Sequence, residues 1–438
     1  MSPEPHTVVL GGGSSGEHFV GALRRLDRTT RVTVVERRLV GGECSYYACM
    51  PTKTMLRAPE LAAAARHSLG AVELGKVDAQ KIYAWRDIVA ERDDTSQVEW
   101  LDSQSAALVR GDAVVSEPGV LQVGGQELRY DRLVIATGST PVVPPIEGLD
   151  QIDYWTNVDA TVTLEVPERL LVLGGGPVGC ELAQFFQRVG SQVTLVQGDT
   201  RLLSRVDAGA AALVEEALLE DGVDIRLNAR AESVASNTVL LADGTELPFD
   251  RLLLATGRKP NVDGLEPLGL EISRRGIEVN AQMRAAENVW AIGDVTGIAP
   301  FTHVGKYHAR ITAYDMAGRD VRADHRAVPA TIFTDPQVAT VGSTEGGVSS
   351  TWPLTSVPRL STYERPKRPG FVKVVADPER KVLTGAVAVG PESGEWLQQL
   401  TLAIRAETPI DVLLDVIPPY PTFSEGVFLA LRELNLDL

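Results

Sequence analysis

Short apolar runs that end in glycine recur along the chain. Residues 7–10, TVVL, run into a glycine cluster at 11–16, a helical pattern follows to Leu26, and a second run, RVTVVE, closes at Glu36. Runs of this length, rich in β-branched residues and bounded by glycine, predict strands, and the 3.6-residue period between them predicts a helix. The succession returns at 170–197 in LLVLGGGPVGCELAQFFQRVGSQVTLVQ. Three more apolar strands enter Gly-containing turns: DRLVIATGSTP at 131–141, DRLLLATGRKPN at 250–261 and NVWAIGDVTG at 288–297. From about residue 327 the segments TIFTDPQVATVG and GFVKVVADPERKVLTGAVAVG show alternating β patterns.

At 438 residues the chain is too long for one core and predicts two to four domains. Its formal net charge of −16, with no basic run, argues against a nucleic-acid partner or an anionic membrane. The apolar stretches are broken by glycine or charge well short of a membrane span, and the N-terminus lacks the regions of a signal peptide. A cytoplasmic protein is expected. Three cysteines do not make an extracellular disulfide framework.

The glycine clusters have a physical logic. In a strand, turn and helix that bind a dinucleotide, one glycine makes the tight turn, a second lets pyrophosphate approach the backbone, and a third lets helix and strand pack closely. The helix N-terminus then faces the phosphates. Gly11, Gly13 and Gly16 fill these positions in the first unit, and Glu36, twenty residues beyond Gly16, is placed for a ribose hydroxyl. Gly174, Gly176 and Gly179 fill them in the second, where Gln197 ends the second strand. Two units predict two dinucleotides.

Between these units lies GGECSYYACMPTK at 41–53, with Cys44 and Cys49 five residues apart. Five residues of regular helix rise about 7.5 Å, more than a disulfide usually spans, so a bond between the two requires a broken first turn. Gly41 and Gly42 fit such a loop, with a helix starting near Cys49. A helix N-terminus favours a thiolate and hence a reactive pair, although two reduced core cysteines fit the spacing as well.

Together these motifs resemble the flavoprotein disulfide reductases, the family of dihydrolipoamide dehydrogenase, glutathione reductase and mercuric reductase, over essentially the whole chain. The resemblance implies an α/β fold with two Rossmann-like domains, for FAD and NAD(P), and a C-terminal α+β dimerisation domain. The implied boundaries are 1–150 and 272–326 for FAD, 151–271 for NAD(P) and 327–438 for the interface. By motif match FAD is held by Gly11, Gly13, Gly16, Glu36, Gly42, Ala113, Thr137, Gly138, Asp294, Thr302 and His303, the last through its backbone N–H. Gly174, Gly176, Gly179, Gln197 and Gly257 match the NAD(P) site. Lys53 and Glu181 match an ion pair beside the flavin, and each explains the other because a lone buried charge is costly. Cys49 is implied to face the flavin and Cys44 to exchange with substrate as a redox disulfide, in a homodimer whose active site both subunits share. Cys180 has no match and is expected in the core. No metal site is expected.

Several positions depart from the family pattern. Its His-Pro-Thr-x-x-Glu run reads Tyr420-Pro421-Thr422-Phe423-Ser424-Glu425, and no histidine follows His325. A tyrosine donates a hydrogen bond but is a poor base near neutral pH. Losing a positioned acid/base typically costs about 10² to 10⁴ in rate, so either disulfide exchange is slow or the substrate does not need that base, unless Tyr420 merely packs at the interface. Tyr46 and Tyr47 replace smaller residues, as pocket walls or as filler. The C-terminus ALRELNLDL lacks the thiols of mercuric reductases and large thioredoxin reductases. With Gln197 in place of an acid, and Arg201 and Arg205 nearby, the nucleotide leans to NADPH. The expected acceptor is a small disulfide or another electrophile. A flavin-only NAD(P)H:quinone or oxygen oxidoreductase, or a flavin-bearing redox sensor, are the alternatives.

Overall fold

The computed structural model describes residues 5–66, 71, 75–363 and 370–436, and the chain divides into two compact units. The first comprises residues 1–51, 86–142 and 258–324. Its centre is a six-stranded sheet ordered Arg284–Ala286, Val289–Ala291, Arg132–Ile135, His6–Leu10, Arg31–Glu36 and Ala106–Arg110, parallel apart from the first pair. All five residues of His6–Leu10 are buried, as expected of a parallel strand covered on both faces. The helices Ser14–Arg24 and Thr302–Met316 pack on one another and share a core of Phe19, Leu23, Val34, Trp290 and Ala309. A second core, around Val8, Leu133, Ile135 and Leu121, includes a three-stranded antiparallel sheet over Ala113–Glu117, Val120–Val123 and Gln126–Arg129.

The second unit comprises residues 52–85, 143–257 and 325–438. A four-stranded parallel sheet runs in the order Asp224–Arg226, Gln192–Val196, Arg169–Leu173 and Arg251–Leu254. Beside it lies a three-stranded antiparallel sheet, Ala231–Ala235, Thr238–Leu241 and Glu246–Pro248. The C-terminal part forms a five-stranded antiparallel sheet ordered Pro329–Ile332, Gln337–Gly342, Val382–Gly390, Phe371–Asp377 and Val348–Pro353. Helices Gln398–Ala406 and Ser424–Arg432 cover it through Leu400, Ile404, Val427 and Leu431.

Helix Pro177–Val189 ties the two halves of this unit together. Gln184 donates to the Asp335 carbonyl at 3.0 Å and accepts from the Asp335 N–H at 2.7 Å, while Arg188 pairs with Asp221 at 2.9 Å and Asp335 at 3.0 Å. These charges are nearly buried, and each has a partner, as burial requires. Among the described residues no helix is long and apolar enough to cross a membrane.

Candidate active site

The first glycine cradle is shaped by its own backbone. Gly11 has φ +110°, and a Cβ there would collide with the Ala136 carbonyl; one on Gly16 would collide with the Gly11 carbonyl. At Gly13, which begins helix Ser14–Arg24 with no side-chain cap, the nearest atom to a Cβ would be 3.8 Å away. A Cβ at the middle glycine would thus meet only Gly42, at ordinary contact distance, and this uncrowded helix N-terminus is where a phosphate would lie. Glu36 accepts from the N–H groups of Gly12 and Arg38, both at 2.7 Å, which fixes its carboxylate at the end of the strand.

The second cradle repeats this construction in the other unit. Cβ atoms on Gly174 and Gly179 would strike the carbonyls of Ala255 and Gly174, whereas one on Gly176 meets nothing within 4 Å. Gln197 stands where Glu36 stands in the first, its amide oxygen accepting from the Gly175 N–H at 2.9 Å. Gly257 follows strand Arg251–Leu254 in an exposed turn. Arg201 is committed elsewhere, donating to the carbonyls of Leu203 at 2.9 Å and Ser204 at 2.7 Å, and Arg205 is exposed.

The cysteine loop is broken as its spacing requires. Helix Gly42–Tyr46 carries Cys44, Tyr47 leaves helical geometry, and helix Cys49–Arg66 begins at the second thiol. Both cysteines are half-buried and reduced. A hydrogen bond to Cys49, burial and the charge of Cys49 hold the Cys44 thiol well above the usual thiol range, opposed more weakly by the Thr302 hydroxyl and Lys306. Thr302 Oγ1 lies 3.5 Å from Cys49 Sγ. Thr302 opens helix Thr302–Met316, and the adjacent His303 ring stacks on Phe301 with centroids 5.3 Å apart.

A polar chain fastens this loop to the turns around it. Glu43 pairs with Arg258 at 2.7 Å, Arg258 donates to the Ser139 hydroxyl and carbonyl, both at 2.8 Å, and Ser139 donates to Asp294 at 2.7 Å. Thr137 and Asn261 exchange hydrogen bonds of 2.7 and 2.9 Å, and the Asn261 N–H donates to the Gly138 carbonyl at 3.0 Å. Sequence reading missed Glu43, Ser139, Arg258 and Asn261; the sign was that the matching motifs ATGSTP and ATGRKPN carry Ser139, Arg258 and Asn261, and that Glu43 adjoins Cys44. Ala113 sits half-buried at the start of its strand, opposite Val123.

In the other unit Lys53 and Glu181 form an ion pair of 2.7 Å, with the Glu181 side chain 6% exposed. Glu181 also accepts from the Phe333 N–H at 2.8 Å, and Lys53 Nζ lies 4.8 Å from the centre of the Phe333 ring. Phe333 was not anticipated. Tyr46 is buried filler: its hydroxyl donates to the Val40 carbonyl at 2.8 Å, and burial pushes its pKa up to about 12. Cys180 is fully buried, and burial pushes its thiol up.

Tyr420 and Glu425 are not joined by a hydrogen bond among the described residues. Tyr420 is 72% exposed, and Glu425 Oε2 is buried with no protein partner.

The family model described as pyridine nucleotide-disulphide oxidoreductase matches residues 5–317, and that of the family's dimerisation domain matches residues 328–430. The chain belongs to the pyridine nucleotide-disulphide oxidoreductases. Mercuric reductase from Acidithiobacillus ferrooxidans is 35% identical to this oxidoreductase over 99% of the chain and 83% of the relative. Dihydrolipoyl dehydrogenase from Thermus scotoductus is 34% identical over 98% and 97%. Among solved structures, the HOCl-induced flavoprotein disulfide reductase RclA from Escherichia coli superposes with a TM-score of 0.86 at 27% identity, covering 98% of the oxidoreductase and 99% of RclA. The fold is thus the α/β flavoprotein reductase fold with a C-terminal dimerisation domain, and the family works with FAD and NAD(P)H.

Proposed function

We propose that this oxidoreductase uses NAD(P)H to reduce a small disulfide or another electrophilic acceptor, with Cys44 and Cys49 as its redox thiols. The supporting observation is the thiol pair itself: Cys44 hydrogen-bonds Cys49, and Thr302 lies 3.5 Å from Cys49, in the same unit as the first cradle. Gly11, Gly13, Gly16 and Glu36 would hold FAD, with Gly42, Ala113, Thr137, Gly138, Asp294, Thr302 and His303 completing its site. Bound FAD supplies a hydride acceptor and two-electron carrier between pyridine nucleotide and sulfur. Gly174, Gly176, Gly179, Gln197 and Gly257 would hold the nucleotide, and neutral Gln197 favours NADPH. Lys53 and Glu181, paired at 2.7 Å, would correspond to the charge pair that the family motif implies.

The substrate half-reaction follows from the hydrogen bond between the thiols. Cys49, as thiolate, takes the Cys44 proton while Cys44 attacks one sulfur of the acceptor, forming a mixed disulfide. The first leaving thiolate takes that proton, and Cys49 then attacks Cys44, closing their disulfide and expelling the second thiolate. Two electrons leave the dithiol and one acceptor disulfide is cleaved. Cys49 thereby does the work for which the chain has no histidine after His325. Tyr420 and Glu425 would line the acceptor pocket of a second copy in a homodimer, and the protein would act in the cytoplasm.

Anaerobic titration of the FAD-loaded protein with NADPH or NADH tests this reading. The first two electrons should raise the free thiols by two per chain, and Cys44→Ser or Cys49→Ser should abolish that uptake and turnover with small disulfides. Full turnover by the doubly substituted protein would replace the sulfur route with direct flavin reduction of a quinone or oxygen.

A further inference from the structure

The two cradles of this chain diverge at the strand end. In the first, a carboxylate, Glu36, is fixed by two backbone N–H groups. In the second, the Gln197 amide is fixed from both sides: its oxygen accepts from the Gly175 N–H at 2.9 Å and its nitrogen donates to Asp199 at 3.1 Å. The next residue, Gly198, has no side chain, and the space beside it belongs to Arg230: a Cβ on Gly198 would stand 3.5 Å from both Cγ and Nε of Arg230.

Backbone hydrogen bonds hold Arg230's segment against the strand end. The Gln197 N–H donates to the Arg226 carbonyl at 2.8 Å, the Ala229 N–H to the Gln197 carbonyl at 3.0 Å, and the Asn228 N–H to the Asp199 carbonyl at 2.9 Å. Of the neighbouring cations, Arg201 is engaged with two carbonyls and Arg226 with Asp224 at 3.0 Å, while Arg205 is exposed. Arg230 is exposed, and among the described residues its guanidinium has no hydrogen-bond or ion-pair partner.

We infer that Arg230 is the residue that reads the 2′-phosphate of the pyridine nucleotide, which makes the protein selective for NADPH. The inference rests on the second cradle being the NAD(P)H site. A phosphate dianion is repelled by a carboxylate at the acid position, which Gln197 removes, and here it must also be offset against Asp199. A guanidinium meets both needs, because its planar fork pairs with two phosphate oxygens. A bare ribose hydroxyl gains nothing comparable.

Calorimetry on the FAD-loaded protein, with 2′,5′-ADP and 5′-AMP as probes, tests the assignment without turnover. Wild type should bind 2′,5′-ADP more tightly. Arg230→Ala should weaken it about 10- to 100-fold, the loss expected of a charged hydrogen bond, while 5′-AMP changes less than about twofold; Arg230→Lys should recover part of the loss. Anaerobic flavin reduction should follow the same order, with Arg230→Ala raising the concentration of NADPH needed for half-maximal rate and leaving NADH unaffected. Equal weakening of both probes, no change in either, or a wild-type preference for NADH would overturn the inference and leave the oxidoreductase reading intact. Failure of both nucleotides to reduce a flavin that dithionite bleaches would overturn both.

Discussion

A thiol is only as reactive as its neighbours allow, and Cys44 is held protonated chiefly by Cys49. In Cys49→Ser the neighbouring charge disappears and the serine hydroxyl can donate to sulfur, so the Cys44 pKa should fall. Alkylation of Cys44 by iodoacetamide at pH 7.5 should then be faster than in the reduced wild-type protein; an unchanged rate would mean that burial alone holds the proton. Glu17 offers a second test. Burial, partly offset by Lys306, pushes its carboxyl up to about 7. With a folded pKa above the unfolded one, the contribution to stability is fully present below about pH 4.5 and is lost as pH rises through 7. Glu17→Gln should therefore raise Tm relative to wild type at pH 8 and leave it little changed at pH 4.5. At this scale the sequence showed the cysteines, Lys53 and Glu181, because short motifs carry them. It did not show that Glu43, Arg258 and Ser139 would meet, since they lie 215 and 119 residues apart and only the folded turns bring them together.

Each dinucleotide unit uses its glycines for two different purposes, and substitution should separate them. A Cβ at Gly179 collides with the backbone of its own turn, whereas one at Gly176 enters open space. Gly179→Ala should cost about 1–3 kcal/mol, the usual range for overpacking, and lower Tm. Gly176→Ala should melt as wild type does but bind NADPH and NADH more weakly, because its methyl would enter the space proposed for the phosphate. Equal thermal loss in both would mean that the cradle is purely structural. These units were legible because strand, glycine turn and helix each leave a distinct period in the sequence. The small antiparallel sheets at 113–129 and 231–248 were not, because their strands are three to five residues long and largely exposed on one face.

For the whole molecule, the family's dimerisation domain makes a homodimer the expected working form. Ile417 is 91% exposed and its neighbours Val416 and Tyr420 are 54% and 72% exposed, an apolar surface consistent with an interface. Ile417→Asp should shift the sedimentation coefficient toward that of a monomer without lowering FAD content; a dimer of unchanged affinity would place the interface elsewhere. The C-terminal sheet was legible from its alternation, but a single chain cannot reveal which face a second copy covers. Helix Pro177–Val189 has a further effect. Its polar side chains reach the segment at 333–335, so neither the nucleotide-binding half nor the C-terminal half of the second unit can unfold without stranding buried charges in the other. Heat should melt them in a single cooperative step, and the C-terminal half cannot be exchanged between relatives as an independent module unless that helix goes with it.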